Sequence, residues 1–338
     1  MKKIIAIIMT LTLIFAVLTP ALAEGAIKRI GTLQMLNMSE QDYAAVQKLR
    51  AVAGKMLNES GIPAEHPYYD GMLDENPEIV FFDNLNDMIM ALNSNQIDAI
   101  DLNRSTADYL CARDENLTIL MDYSDAEDSV LTDFVFNTLL SFDFSLMLPE
   151  ANQALADELS EVLVEMEEDG TVDALAATYI EGKNGEPPVA ELTTIDGAET
   201  LRVAVTGDLP PMDYVTTDGQ PAGYNVAVLA EVGRRIGRNI EFVPISAAAR
   251  AMALASNQVD VVFWSRSCMA AQAVIDDNLD WKEMFELEDE EDAAMLQKID
   301  ESLMSAFDYK SYNSKDIPKG LVATERYYSD CIVLVAKK

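Results

Sequence analysis

Two segments of the chain end in the same short polar motif. Residues 90–105 read MALNSNQIDAIDLNRS and residues 252–267 read MALASNQVDVVFWSRS, with nine of sixteen positions identical and no gap. Each segment ends in an Arg-Ser pair. A guanidinium group presents a fork of donors that pairs bidentately with a carboxylate or another planar anion. The repeat therefore predicts two Arg-containing segments that can contact one anion, and a helix cap or a surface ion pair is the alternative role for each Arg.

The repeat also predicts two related β-α-β units. In each copy a β-rich run, at 78–83 or 240–245, leads to a short helix, a Ser-Asn-Gln turn and a second apolar run. The second runs, IDAIDL and VDVVFW, are typical of strands that are covered on both faces in a parallel sheet. Ligands of open α/β sheets bind beyond the carboxyl ends of the strands. This rule predicts two cleft walls: Asn103, Arg104 and Ser105 on one, and Ser265, Arg266 and Ser267 on the other.

The first 23 residues are typical of a cleaved secretory signal. They contain Lys2 and Lys3, an apolar run over 4–18, Pro20 and then Ala-Leu-Ala. The apolar run is shorter than the roughly 20 residues of a spanning helix, so a permanent membrane anchor is the weaker alternative. We expect an exported protein, periplasmic or at the cell surface.

The composition excludes several classes of protein. The net charge of -34 disfavours nucleic acid and anionic lipid as partners. Cys111, Cys268 and Cys331 have no C-x-x-C spacing and are odd in number, which excludes a disulfide-built scaffold. With 49% hydrophobic residues, the chain has enough material for two packed lobes.

Helices and a linker follow from local patterns. An amphipathic helix is predicted between Pro149 and Gly170, and a second one ends near Gly237. The stretch 181–199 contains three glycines and two prolines without helical periodicity, which predicts a linker. The acidic segment at about 280–314 is predicted to be a surface insertion.

The segment LRVAVTGDLPPMDYVTTDGQPAGYNVAVLAEVGRRIG, at 201–237, resembles the first strand, Pro-Pro loop and first helix of family 3 bacterial solute-binding proteins. These are the type II periplasmic receptors of amino-acid ABC importers. ALASNQVDVVFWS and VATERYYSDCIVLVAKK resemble a later strand and a hinge strand of the same lobe. The resemblance implies an α/β, periplasmic-binding-protein-like type II fold, with two lobes that each contain a mostly parallel sheet flanked by helices. Two hinge strands would join the lobes.

The order of the lobes departs from the family. Residues 27–143 resemble the second lobe, 144–181 resemble the hinge strand and the helices that pack on the other lobe, and 200–338 resemble the first lobe. The linker at 182–199 would join the family's usual C-terminus to its usual N-terminus. We interpret this order as a circular permutation, and two unrelated partial domains are the alternative.

The resemblance adds further candidates for the ligand site. An aromatic ring in this site can cover the apolar part of a small solute, although a ring packed in the core is the alternative role for the tryptophan. The candidates that the resemblance adds are Asp208, Met212 and Tyr214, and Trp264 is a candidate because it lies near the end of a predicted strand.

Two departures affect the expected ligand. Asn103 occupies the position where the amino-acid binders usually hold the ligand ammonium with an Asp, and Gln272 occupies the position of their carboxylate-binding Arg. The resemblance is therefore not sufficient to predict a standard α-amino acid as the ligand. Arg266, assisted by Arg250, is the predicted replacement for the anion contact.

The predicted function is capture of a small polar solute, an amino acid or a related carboxylate, by a monomer that serves an ABC permease, without a metal or cofactor. A ligand-sensing domain is the first alternative. A dehydratase-like enzyme is a lesser one, because the single histidine, His66, lies in a loop-like stretch and no Cys-His pair has a useful spacing. The acidic runs lack the alternating ligands and central glycine of a calcium loop.

Overall fold

The computed structural model describes residues 26–34, 40–59, 68, 71–122, 140–181, 187–267 and 317–338. Several sequence predictions concern residues outside these ranges, namely the signal at 1–23, His66, Cys268, Gln272 and the acidic segment at 280–314. Within the described ranges, no helix has the length and apolar character needed to cross a membrane.

The described part of the chain contains thirteen strands and seven α-helices. The strands are β1 (Ile27–Leu33), β2 (Leu73–Phe82), β3 (Ala99–Asn103), β4 (Leu117–Leu120), β5 (Ser141–Pro149), β6 (Thr200–Val205), β7 (Asp208–Leu209), β8 (Asp213–Val215), β9 (Pro221–Ala222), β10 (Asn239–Pro244), β11 (Val261–Ser267), β12 (Leu321–Ala323) and β13 (Tyr328–Lys337). The helices are α1 (Glu40–Glu59), α2 (Leu85–Asn93), α3 (Arg104–Cys111), α4 (Gln153–Glu168), α5 (Thr171–Tyr179), α6 (Tyr224–Ile236) and α7 (Arg250–Ala255).

Ten of the strands form one sheet with two similar halves. The main path is β10-β6-β11-β5-β13-β3-β1-β2, with β12 beside β5 and β4 beside β13. The N-terminal half thus has the order β2-β1-β3-β13-β4, and the C-terminal half has the equivalent order β10-β6-β11-β5-β12. In each half the first three strands are parallel, and the fourth, β13 or β5, is antiparallel to its neighbours. The predicted α/β class, with a mostly parallel sheet in each half and two connecting strands, is confirmed.

Strands β5 and β13 connect the halves in opposite directions. They pair antiparallel with each other, Ser141 with Cys331 and Phe144 with Tyr328. Beyond this contact, β5 continues beside β11 and β12, whereas β13 continues beside β3 and β4. Two adjacent strands are therefore the covalent connection that a hinge between the halves would use.

The repeated Ser-Asn-Gln-x-Asp letters have a structural role that is the same in both halves. Asn95 and Asn257 have φ angles of 58° and 55°, the left-handed conformation that Asn tolerates better than most residues. Asp98 then accepts from the Arg29 backbone N–H at 2.9 Å and pairs with its guanidinium at 2.6 Å. Asp260 does the same for Arg202, at 2.9 Å and 2.7 Å. Each copy of the repeat thus forms a turn and fastens it to the neighbouring strand.

Helices α4 and α5 precede the predicted linker but pack against the C-terminal half. Leu159, Leu163 and Met166 of α4 are buried in one core cluster with Leu229 and Val232 of α6. The predicted helix between Pro149 and Gly170 is confirmed as α4. The second predicted helix is α6, which ends at Gly237 with a φ angle of 69°. In the linker, residues 187–199 contain no helix or strand.

Candidate functional site

A cavity of about 100 Å³ lies between the two halves of the sheet. It is located where β1, β3, β6 and β11 end, so its walls come from both halves. The residues that line it are Thr32, Leu33, Gln34, Asp101, Leu102, Asn103, Thr106, Phe144, Thr206, Leu209, Met212, Asp213, Asn225, Arg250, Phe263 and Ser265.

Equivalent positions of the repeat face this cavity from opposite sides. Asn103 ends β3, and Ser265, 162 residues later, lies near the end of β11. The Asn103 Nδ2 and the Ser265 Oγ are buried and have no hydrogen-bond partner among the described residues. The Oγ1 of Thr106, in the first turn of α3, is buried in the same way. Because buried polar groups are normally satisfied, three such atoms at one cavity indicate a site for a polar molecule.

Arg250 is the cation of the cavity wall. It begins α7 and donates to the Phe263 carbonyl at 3.3 Å and to the Thr206 hydroxyl, while its Nε has no partner in the described part of the chain. Burial lowers the pKa of Arg250, and the more distant charges of Asp213 and Asp208 oppose that effect. The guanidinium nevertheless stays protonated in proteins. No carboxylate of the described residues forms an ion pair with it at 4.0 Å or less, so a partly buried positive charge with a buried Nε faces the cavity.

Asp101 also lines the cavity, but its carboxylate has partners. Its Oδ1 accepts from Arg50 Nη2 at 2.8 Å and its Oδ2 accepts from Gln47 Nε2 at 3.0 Å. Both side chains belong to α1, and Arg50 and Asp101 are 0% and 4% exposed. This buried ion pair fixes the wall of the N-terminal half.

Asp213 organises the opposite wall. Its Oδ1 accepts from the backbone N–H groups of Thr206 and Gly207 at 2.6 Å and 3.2 Å, and its Oδ2 accepts from Asn225 Nδ2 at 3.0 Å. The Tyr327 hydroxyl in turn donates to Asn225 Oδ1 at 2.8 Å. Asp213 therefore joins the end of β6, the start of α6 and the segment before β13 in one buried network.

Most of the remaining lining is apolar, and Thr32 and Gln34 are the polar exceptions. Phe263 and Met212 are 4% and 0% exposed, and Phe144 packs edge-on to Tyr327 with ring centroids 6.4 Å apart. Leu102 and Leu209 complete this surface. An apolar lining with a few convergent polar atoms is the usual construction of a small-molecule site.

Four of the residues named from the sequence line the cavity: the predicted site residues Asn103, Met212 and Ser265, and the assisting Arg250. Arg104 does not, and its predicted anion contact needs correction. Its Nε bonds both carboxylate oxygens of Asp108 at 2.9 Å, and its Nη1 bonds Asp122 at 2.9 Å. Those two acids raise the pKa of Arg104 although burial acts to lower it. The Arg104 guanidinium, which the repeat suggested as a ligand contact, is therefore paired with carboxylates of the protein itself.

Asp208 lies outside the cavity lining and connects the two halves. Its Oδ2 accepts from the backbone N–H groups of Leu85 and Asn86, at 2.8 Å and 3.4 Å, in the first turn of α2. Burial raises the pKa of Asp208, and these two hydrogen bonds act to lower it. Tyr214 pairs with Asp208 between β8 and β7 and is also absent from the lining.

Ser105 is a second contact between the halves instead of a lining residue. Its Oγ lies 3.5 Å from the Met212 Sδ, and its backbone N–H donates to Asp330 of β13 at 3.0 Å. The side chains of Trp264, Arg266 and Ser267 fall outside the described part of the structure, although their backbones pair with β5. Their predicted contacts with a ligand stay predictions.

Sequence reasoning missed several lining residues, chiefly Thr32, Thr106, Thr206 and Asn225. Thr206 directly follows β6 and Thr32 lies near the end of β1. The rule that ligands bind beyond strand ends, applied to these two strands as well, would have found both. Asn225 and Thr106 lie in the first turns of helices, where no motif marked them.

Residues 201–270 match the family model of bacterial extracellular solute-binding proteins, family 3. The resemblance predicted from the sequence is confirmed over this segment, which contains Arg250, Asp213 and Ser265. No curated protein sequence matches the chain at a significant level.

Solved structures with similar folds include several receptors. One is the ligand-binding component of an ABC-type import system from Staphylococcus aureus with zinc bound. Its sequence identity is 13% and its TM-score is 0.37, and the match covers 92% of this chain and 66% of that one. Another is the alkanesulfonate-binding protein SsuA from Xanthomonas axonopodis pv. citri bound to MOPS. Its sequence identity is 13% and its TM-score is 0.31, and the match covers 72% of this chain and 55% of that one. A third is the GluR0 ligand-binding core from Nostoc punctiforme in complex with L-glutamate. Its sequence identity is 8% and its TM-score is 0.31, and the match covers 92% of this chain and 85% of that one. The chain thus spans less than two thirds of the length of the first two, and TM-scores below 0.5 assign no ligand.

Proposed function

We propose that this chain is an exported solute-binding protein that captures a small polar solute between the two halves of its sheet. The observation that carries the proposal is the set of buried, unpartnered polar atoms that converge on one cavity from both halves: Asn103 Nδ2, Thr106 Oγ1, Ser265 Oγ and Arg250 Nε. Atoms of this kind are costly unless a ligand or water satisfies them. A solute that bridges them would hold the halves together.

The connection by β5 and β13 supports a closing motion. Besides the cavity, the described contacts between the halves include the Asp208 bonds to the start of α2 and the Ser105 contact with Met212. Leu209 of β7 also packs against the apolar core of the N-terminal half. Relative motion of two such bodies about a pair of connecting strands is a common mode of closure around a ligand. A bound solute would shift the population toward the closed form by its differential affinity for that form.

Binding without catalysis is the activity that we infer. Asp101 is paired with Arg50, and Asp213 accepts three N–H donors, so the carboxylates of the cavity wall are used for structure. Delivery of the solute to an ABC permease by a monomer is the output that we propose, with ligand sensing as the alternative. Adjacent permease and ATPase genes would favour transport, whereas an adjacent kinase gene would favour sensing.

A thermal-shift screen of residues 24–338 tests solute binding. Amino acids, monocarboxylates, dicarboxylates, sugars and short peptides are added separately, because a ligand at 100 times its Kd stabilises the folded state by about 2.7 kcal/mol. Asn103→Leu and Ser265→Leu, which fill the cavity from opposite sides, should each abolish the shift. Met252→Gln is the matched control, since Met252 is 75% exposed on α7 outside the cavity. Absence of a shift with every class of solute would contradict the proposed function.

A further inference from the structure

The hydrogen-bonding capacity left over at the cavity is mostly donor capacity. Arg250 Nε and Asn103 Nδ2 can only donate, and the Ser265 and Thr106 hydroxyls can donate or accept. A ligand that satisfies all four atoms must therefore present at least two acceptors, one of them beside a partly buried guanidinium. A carboxylate has this property, because it only accepts and has about four lone-pair sites.

The two carboxylates of the wall already have hydrogen-bond partners. Both Asp101 oxygens accept from α1 side chains, and both Asp213 oxygens accept from N–H donors of their own half. Asp208 has an unpartnered Oδ1, but it lies outside the lining, and its other oxygen accepts from the first turn of α2. A ligand ammonium, which donates up to three hydrogen bonds, would thus find among the described lining residues only carboxylates whose two oxygens both already accept from N–H groups.

The size of the cavity limits the ligand further. About 100 Å³ is room for roughly half a dozen water-sized groups. The apolar side chains of Phe144, Phe263 and Met212 surround the polar atoms. They suit a short hydrocarbon portion attached to one anionic group.

We infer that the site selects a small organic monoanion without an ammonium group, a short monocarboxylate, whose charge is received by Arg250 and whose other oxygen contacts are supplied by Asn103 and Ser265. This inference rests on the proposed function and adds the chemical class of its ligand. Asn103 would then favour an anionic ligand. An Asp at this position would offer only acceptors, which suit an ammonium group, whereas the Asn103 amide offers an N–H donor to the anion.

Matched pairs of probes test the inference by calorimetric titration at pH 7.5 in a buffer free of carboxylates. The pairs are acetate with glycine and propionate with L-alanine, which differ by the ammonium group alone, and propionamide is the neutral analogue. We expect acetate or propionate to bind at least tenfold more tightly than its amino counterpart and than propionamide. Tighter binding of glycine or L-alanine would overturn the inference, as would a sugar or another neutral solute as the sole ligand.

Variants of the same protein identify the group that receives the charge. Arg250→Met should lower propionate affinity at least 100-fold, Arg250→Lys should lower it less, and Arg234→Met, at an exposed position of α6, should leave it unchanged. Asp208→Asn should not improve the binding of L-alanine, whereas loss of L-alanine binding in this variant would identify Asp208 as an ammonium acceptor and contradict the inference.

The melting temperature of each variant distinguishes loss of binding from loss of folding. Because Arg250 is a partly buried cation without an ion pair among the described residues, Arg250→Met should keep or raise the melting temperature of the ligand-free protein. If this variant does not fold, Ser265→Ala provides the second test, with at least a fivefold loss of propionate affinity expected and unchanged affinity overturning the inference. The proposed function itself would fail only if no solute of any class bound, so the two failures are distinguishable.

Discussion

At the scale of single residues, the chain places two differently paired arginines beside the cavity, a fully buried Arg50 and a partly buried Arg250. Arg50 and Asp101 form a buried ion pair beside the cavity, whereas Arg250 has hydrogen bonds but no ion pair among the described residues. Breaking a buried pair by removing one partner leaves an uncompensated charge, and replacing both partners by apolar groups is often neutral or stabilising. The two arginines should therefore respond differently to the same substitution.

Arg50→Met should destabilise the protein by about 3–5 kcal/mol, because it leaves the Asp101 carboxylate buried without its cation. The double variant Arg50→Met with Asp101→Leu should recover most of this loss. Urea unfolding followed by circular dichroism measures both free energies of unfolding. Arg234→Met, which removes a largely exposed ion pair with Glu231, is the control and should cost no more than about 1 kcal/mol. An equal effect of Arg50→Met and Arg234→Met would mean that the Asp101 pair does not stabilise the wall.

Asp330 gives a prediction about pH. Burial raises its pKa to about 6, although the hydrogen bond from the Ser105 backbone lowers it. The folded state therefore binds this proton more tightly than the unfolded chain does, so Asp330 contributes stability below about pH 4 that is lost as the pH rises through about 6. Asp330→Asn removes the cost of a desolvated charge, and its amide oxygen can still accept from Ser105.

We expect Asp330→Asn to be more stable than the parent protein at pH 7.5 and equal to it near pH 3.5. The measurement is the difference in melting temperature between the two proteins at each pH, so that the repulsion among the many other acids cancels. A difference that does not change with pH would show that Asp330 titrates normally.

At the scale of elements, the repeat encodes a turn more than a ligand contact. Asn257 adopts a φ angle of 55° immediately after α7, where the N–H of Gln258 returns to the Ala253 carbonyl at 2.9 Å. The Asp that follows then fastens the turn to β6 through Arg202. The identical letters in the two halves are thus explained by backbone geometry and strand fastening.

Asn257→Val should destabilise the protein by about 1–2 kcal/mol, because a β-branched residue is strained in the left-handed conformation. Asn257→Gly should lie within about 0.5 kcal/mol of the parent, since glycine adopts this conformation freely. Gln258→Val, at the next and equally exposed position, is the matched control with an ordinary φ angle. Equal stabilities of the valine variants at 257 and 258 would contradict the conformational explanation.

The helices and strands could be predicted from the sequence better than the residues of the candidate site. Apolar runs, Gly237 and the repeat were sufficient for β3, β11, α4 and α6, because these signals are local. The same repeat suggested that Arg104 faces a ligand, and only the folded chain brings Asp122, 18 residues later, to its guanidinium. Arg250 was named from the sequence as an assisting group, but its lack of an ion pair depends on which acids fold toward it.

At the scale of the whole molecule, the strand order bears on the unusual order of the segments. The two halves have equivalent strand orders, and each contributes one strand, β5 or β13, to the connection between them. Helices α4 and α5, which precede the linker, pack on the half that follows it. We propose that residues 27–143 and 200–338 encode two lobes of one receptor in circularly permuted order, with 144–181 as hinge strand and packing helices and 182–199 as the linker that made the permutation possible. Strand β13, at the end of 200–338, crosses into the sheet of the other lobe.

The order of the resembled family should be restorable without loss of the fold. Val335 of β13 pairs with Ile100, and Ala99 pairs with Ile30 of β1, so the end of β13 lies two strands from the start of β1. That separation is roughly 10 Å, which a Gly-Ser segment of about eight residues spans easily. A chain that runs from residue 199 to 338, through this segment, and then from 27 to 181 should keep its circular dichroism spectrum, a single unfolding transition and the solute preference of the parent. The control keeps the present order and replaces 182–198 by Gly-Ser residues of equal number. Because two independent partial domains would tolerate separation, two unfolding transitions in the rearranged chain, with one in the control, would contradict the permutation.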